Sequence, residues 1–147
     1  MNTLTLAQVW HGDLADIGHL DHQAAIPAVT TGPVAQGDLM ICPSSFPARK
    51  VAARPESRWM DVPAEGIRII DGRDNGGGHD HLLVARPGTA RVTFDVDHPS
   101  RLGICLIETT EEATIQHVEH GAVLLPPGVY ECRGQREQAA EERRVAD

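Results

Sequence analysis

Short apolar segments separated by turn-forming residues run through most of this chain. The clearest segment lies at 90–96, where Ala, Val, Phe and Val alternate with Arg, Thr and Asp. Alternation with a period of two predicts a β-strand with one face in water. The segment Leu102–Ile107 is nearly all apolar and predicts a central strand. Six further strands are expected at 38–42, 67–70, 79–85, 113–119, 122–125 and 129–133.

This spacing of strands and turns predicts an all-β fold. The 14 glycines and 10 prolines are spread along the chain, which favours many short elements over a few long helices. About eight short strands in 147 residues are typical of one domain that forms a small antiparallel β-barrel, a jelly roll or a sandwich.

The two ends of the chain differ from this β pattern. Residues 1–35 contain no Lys or Arg, and their apolar residues recur at helical spacing, so we expect an N-terminal arm with a short helix. The β domain is expected at 36–134. Residues 135–147 are rich in Glu and Arg and predict a short helix or a flexible, charged C-terminal tail.

The formal net charge of -8 argues against general binding of nucleic acid or of an anionic membrane, because phosphate contacts need clustered Lys and Arg. One segment is basic although the chain as a whole is acidic. It contains Arg49, Lys50, Arg54 and Arg58 and is either a solvated loop or a site for a small anionic ligand or an acidic partner surface.

Cys42, Cys105 and Cys132 are odd in number and have no CxxC spacing, so we expect buried free thiols in a reducing compartment. No apolar run approaches the roughly 18 residues needed to cross a bilayer. The N-terminus also lacks the basic and apolar regions of a signal peptide. These features predict a cytoplasmic protein.

Four of the eight histidines occupy two short segments beside predicted strands. His79 and His81 are two apart in a strand, so their side chains share a face. His117, Glu119 and His120 end a later strand. If the two strands meet, these five side chains form a ligand set for zinc or another divalent transition metal. The alternative is that they are turn histidines that bind the backbone and nearby carboxylates.

Two resemblances bear on this site. Gly78-His79-Asp80-His81, followed by the Pro-Gly turn at 127–128, resembles the metal-binding cupin superfamily, although apolar residues stand where the first cupin motif has a Glu. Residues 36–147 are more similar to a group of small, uncharacterised bacterial and phage-borne proteins. The segments that carry this likeness are Gln36-Gly37-Asp38, Gly78-His79-Asp80-His81, Glu119-His120-Gly121, 125–130, 135–137 and 143–147. This second resemblance implies no known activity.

Two functions from different classes are consistent with these observations. The first, which we favour, is a non-enzymatic binding or assembly protein that forms a homo-oligomer or part of a larger, phage-like assembly through its arm and tail. The second is a cupin-like metalloenzyme for a small polar or anionic substrate, with Arg86 or Arg91 orienting an anionic group. We assign no catalytic or cofactor-binding residue, since the chain has no P-loop, GxGxxG or GxSxG motif.

Overall fold

The computed structural model describes residues 4–45, 51–70, 79–97 and 103–134. Within these ranges the chain forms one short helix, one 3₁₀ turn and twelve strands. They are α1 (Leu6–Val9), the 3₁₀ turn (Leu14–Ile17), β1 (Val34–Gln36), β2 (Leu39–Pro43), β3 (Ala52–Ala53), β4 (Met60–Asp61), β5 (Ile67–Ile70), β6 (His81–Val84), β7 (Ala90–Thr93), β8 (Val96–Asp97), β9 (Gly103–Thr109), β10 (Ala113–His117), β11 (Gly121–Leu125) and β12 (Gly128–Gly134).

Two antiparallel sheets share one hydrophobic core. The larger sheet has the strand order β1-β2-β12-β9-β7-β4, and the smaller has the order β11-β10-β6-β5. Ile41 and Ile107 of the larger sheet pack in the same core as Leu83 and Ile115 of the smaller. A third, two-stranded sheet pairs β3 with β8. The predicted all-β fold is therefore confirmed, in the form of open sheets rather than a closed barrel.

The strand predicted at 90–96 is interrupted, and its alternation fails after Val92. Thr93 is fully buried, whereas Phe94 is exposed. The Thr93 hydroxyl accepts a hydrogen bond from the Asp95 amide at 3.2 Å, so the chain turns there and resumes as β8. This turn therefore places the apolar Phe94 side chain outside the core.

The N-terminal arm packs against its own domain. Leu6 and Ile17 are buried against Ala122 of β11. The Val29 amide donates to the Leu124 carbonyl, and the Leu124 amide donates to the Pro27 carbonyl. The arm thereby covers the outer edge of β11.

Several sequence predictions can be located in this fold. Cys42, Cys105 and Cys132 all lie in the described ranges as buried free thiols, as expected. Of the four basic residues, Arg54 pairs with Asp97 at 2.9 Å, while Arg49 and Lys50 lie outside the described residues, as does the tail at 135–147. No helix among the described residues is long and apolar enough to cross a membrane.

Candidate metal centre

Two chain segments bring the four predicted histidines to one end of the smaller sheet. Antiparallel pairing of Leu82 with Gln116 places the start of β6 beside the end of β10. The ring centroid of His117 lies 4.4 Å from that of His81, 4.7 Å from that of His120 and 6.0 Å from that of His79. The turn between β1 and β2 completes the cluster.

Local backbone geometry makes this convergence possible. Gly121 has a φ of 81°, a left-handed conformation that glycine adopts without strain, and it reverses the chain between β10 and β11. Gly37 has a φ of 59° at the first position of the two-residue turn between β1 and β2, as the primed hairpin turns require. The two turns bring His120 and Asp38 towards the same site.

Gln36 determines which nitrogen of His81 carries a proton. The Gln36 Nε2 group donates to the Ile115 carbonyl at 2.8 Å and to the Gly121 carbonyl at 3.2 Å. Its Oε1 atom must therefore face His81 Nδ1, at 2.8 Å. Since Oε1 can only accept a hydrogen bond, Nδ1 of the fully buried His81 is the protonated nitrogen.

The other nitrogen of His81 faces a carboxylate. His81 Nε2 lies 3.0 Å from Asp38 Oδ1. Burial lowers the pKa of His81, and the hydrogen bond and charge of Asp38 oppose this effect only in part. In the neutral ring, Nε2 has a lone pair directed at an oxygen that also accepts. A proton shared between these two atoms, or a cation bound by both, would satisfy this pair.

His117 is held in the opposite tautomer. Its Nδ1 atom accepts a hydrogen bond from the Glu119 amide at 3.1 Å, which leaves the proton of the neutral ring on Nε2. Burial lowers the pKa of His117 to about 4, and the neighbouring His81 and His120 add to the shift. At neutral pH His117 is therefore an uncharged hydrogen-bond donor, and it could bind a metal through Nε2 only after losing that proton.

The remaining three predicted side chains are exposed. His79 Nε2 lies 3.2 Å from Glu119 Oε1, and both side chains are more than half exposed. The ring of His120 lies against Gly37, so closely that a Cβ atom at Gly37 would be 2.8 Å from His120 Nε2. Exposed side chains can change rotamer at little cost.

The side chains are not yet arranged as a complete metal site. In the described part of the chain, no three His, Cys, Asp or Glu side chains have the geometry to hold an ion. The centre instead consists of one close pair, His81 with Asp38, and three further imidazoles beside it, those of the buried His117 and of the exposed His79 and His120. Asp38 and Gln36 were missing from the predicted set, although the Gln-Gly-Asp turn that contains them is visible in the sequence.

A family model for a domain of unknown function, DUF8820, matches residues 35–135. The chain belongs to this family. The DUF8820 region contains every residue of the candidate centre and begins just after the arm that covers β11. No curated protein and no solved structure matches the chain.

Proposed function

We propose that this protein is a non-enzymatic binding protein that holds one divalent transition-metal ion between His81 Nε2 and Asp38 Oδ1. The observation that carries the proposal is the fixed orientation of Gln36, which leaves the lone pair of a buried imidazole facing a carboxylate oxygen. A metal-bound histidine typically donates its other ring N–H to a carbonyl or carboxylate, and Gln36 supplies that acceptor.

The spacing of the two atoms supports this proposal. Two ligand atoms that each lie about 2.1 Å from one ion are about 3.0 Å apart in octahedral geometry and about 3.4 Å apart in the tetrahedral geometry typical of zinc, so zinc would need the two atoms to separate by a few tenths of an ångström. The observed separation of His81 Nε2 and Asp38 Oδ1 is 3.0 Å. Nitrogen and oxygen donors together suit zinc, iron, manganese or nickel.

Exposed groups would complete the coordination. Either His120 or His79 would rotate towards the ion as the third ligand, and Glu119 would be the fourth. His117 would remain a neighbouring hydrogen-bond donor. The bound metal would fasten the β1–β2 turn to β6 and the β10–β11 turn. We also propose that the protein forms a homo-oligomer. Its subunits would contact one another through surfaces other than the β11 edge, because the arm covers that edge.

Zinc binding to chelator-treated protein, measured by calorimetry and elemental analysis, tests the proposal. We expect one zinc per chain. His81→Gln and, as a variant on a partly exposed turn, Asp38→Asn should each weaken zinc binding at least about 10-fold, since metal affinity depends on ligand identity and count. His19→Gln, an exposed change in the arm, should leave it unaltered. Absence of zinc binding, or equal affinity in all four proteins, would contradict the proposal.

A cupin-like metalloenzyme is the second candidate, and a cavity of about 440 Å³ favours it. This cavity lies between the arm and the smaller sheet, and His79 and Arg68 are among the residues that line it. The two arginines first considered for substrate binding are paired with other residues, Arg86 with Glu111 and Arg91 with Glu108. Arg68 is paired as well, with Asp80 at 3.0 Å beside this cavity, so an anionic substrate would compete with that carboxylate. Turnover of a small anionic substrate by zinc-loaded protein, lost in Arg68→Gln with zinc binding intact, would favour the enzyme.

A further inference from the structure

Two of the three cysteines lie opposite each other at the centre of the larger sheet. Cys105 of β9 is the register partner of Cys132 of β12, and β9 and β12 are the two middle strands of that sheet. Both side chains are fully buried in the core that the two sheets share. A hydrogen bond between the two thiols, together with burial, raises the pKa of Cys132. The fold thus holds two thiols side by side, away from solvent.

The backbone bonds of β12 indicate the distance across this pair. The amide of Ser44, just after β2, donates to the Val129 carbonyl at 2.8 Å, so Val129 directs its backbone groups towards β2. Because this direction alternates along a strand, Cys132, three residues later, directs its own backbone groups towards β9. Cys105 and Cys132 therefore form a hydrogen-bonded pair, and the Cα atoms of such pairs in antiparallel sheets are about 5.5 Å apart.

This distance is compatible with a disulfide. The Cα atoms of disulfide-bonded cysteines are usually roughly 4.4–6.8 Å apart, and most often about 5.5–6 Å. Rotation of the two side chains about χ1 would therefore close the S–S bond without a shift of β9 relative to β12. The ladder is also irregular directly after Cys132, so the backbone at that end of the pair is less constrained.

The third cysteine cannot take part in such a bond in the folded chain. Cys42 of β2 is the register partner of Glu131, the residue before Cys132. Successive side chains of a strand point to opposite faces, so Cys42 lies on the face of the larger sheet opposite to that of Cys132. It is accordingly buried outside the core cluster that contains Cys105 and Cys132. Of the three possible disulfides, the fold permits one.

We propose that Cys105 and Cys132 are a redox-active pair that forms a reversible cross-strand disulfide, with a small-molecule disulfide such as oxidised glutathione as the oxidant. One protein thiolate attacks the oxidant, which forms a mixed disulfide and releases one glutathione thiolate. The second protein thiolate attacks the cysteine sulfur of that mixed disulfide and releases the other. The two cysteines lose two electrons to glutathione, and their two protons pass to the released thiolates.

The burial of both thiols determines when this exchange takes place. The oxidant reaches them when the chain opens transiently, and refolding then brings the two sulfurs together. By linkage, the fold favours this disulfide by the same factor by which the disulfide favours the fold. The bond fastens β9 to β12, and it is independent of the proposed metal site.

Refolding of chelator-treated protein in a glutathione buffer, followed by acid quenching and peptide mapping, tests this inference. At one ratio of oxidised to reduced glutathione, the disulfide between Cys105 and Cys132 should be at least about 30-fold more favoured in buffer than in concentrated urea. In urea all three pairings should appear, because the unfolded chain does not hold the thiols in place. The oxidised protein should also unfold at a higher urea concentration than the reduced protein.

Two variants locate the bond. Cys42→Ala should form the disulfide as the wild type does, whereas Cys105→Ala leaves two cysteines on opposite faces and should form none when folded. Equal preference in buffer and urea, a folded-state disulfide that includes Cys42, or an oxidised wild type that unfolds at a lower urea concentration than the reduced one would each overturn this inference. These wild-type measurements decide the matter even if Cys105→Ala fails to fold.

Discussion

Gly37 meets two demands at the scale of a single residue. Its φ of 59° disfavours any L side chain, and a Cβ there would lie 2.8 Å from the His120 ring. We expect Gly37→Ala to lower the free energy of unfolding by about 1 kcal/mol, since the exposed ring of His120 can move aside. The displaced ring should also weaken zinc binding.

Gly88 provides the matched control for this prediction. Its φ is 83°, yet a Cβ there would meet no atom within 4 Å. Gly88→Ala should therefore cost a similar free energy of unfolding and leave zinc affinity unchanged, as measured by urea denaturation and calorimetry. Equal zinc affinity in both variants would show that the contact with His120 has no role in the site.

His117 should make the stability of the metal-free protein depend on pH. Its pKa is lowered to about 4 by burial and by nearby histidines, whereas a histidine in an unfolded chain has a pKa of about 6.5. Between these values the unfolded chain takes up a proton that the folded chain does not. The free energy of unfolding should thus fall by about 2–3 kcal/mol from pH 7 to pH 4.5.

Urea denaturation of chelator-treated protein at the two pH values measures this effect. His117→Asn should show a shallower pH dependence, and the exposed His19→Asn should keep the dependence of the wild type. His81 adds to the loss in the same direction, because its pKa is also lowered. An unchanged slope in His117→Asn would mean that His117 is protonated in the folded protein.

At the scale of elements, Gln116 of β10 attaches the arm to the domain. Its Nε2 donates to the Val9 carbonyl at 2.7 Å, and its Oε1 accepts from the His11 amide at 2.8 Å. Gln116→Met removes both bonds and leaves partly buried backbone groups unpaired, at a cost of about 1–3 kcal/mol. Hydrogen exchange of arm amides should accelerate about 10-fold or more.

A change within the arm itself is the control for this attachment. Gln8 forms a capping box with Thr5 at the start of α1 and contacts no other element through it. Gln8→Met should accelerate exchange only in α1. If Gln116→Met behaves in the same way, the arm is held by the burial of its apolar side chains alone.

Elements with a clear period were predictable from sequence, and pairings between distant elements were not. The segments at 67–70 and 113–117 have enough apolar residues to define a strand, whereas β3 and β4 have two residues each and no period. The same limit applies to the site. His81 could be proposed from its strand, but Gln36 and Asp38 lie 45 and 43 residues earlier in the chain and meet it only through the fold.

At the scale of the whole molecule, both edges of the larger sheet are short and one edge of the smaller sheet is covered. In the described part of the chain the larger sheet ends in β1 with three residues and β4 with two. Short edge strands resist pairing with other chains. The edge of the five-residue β11 is instead covered by the arm, through bonds between Leu124 and the residues Pro27 and Val29. Removing the arm would therefore expose a strand edge capable of pairing.

We accordingly expect the double variant Leu6→Asp, Ile17→Asp to self-associate. Both side chains are buried against β11, so the added charges should undock the arm and free the Leu124 amide and carbonyl to pair with a second chain. Sedimentation velocity at several protein concentrations measures this association. Leu14→Asp adds charge at an exposed arm position and should match the wild type. If the double variant also matches the wild type, the arm does not protect this edge, and the proposed homo-oligomer could form there.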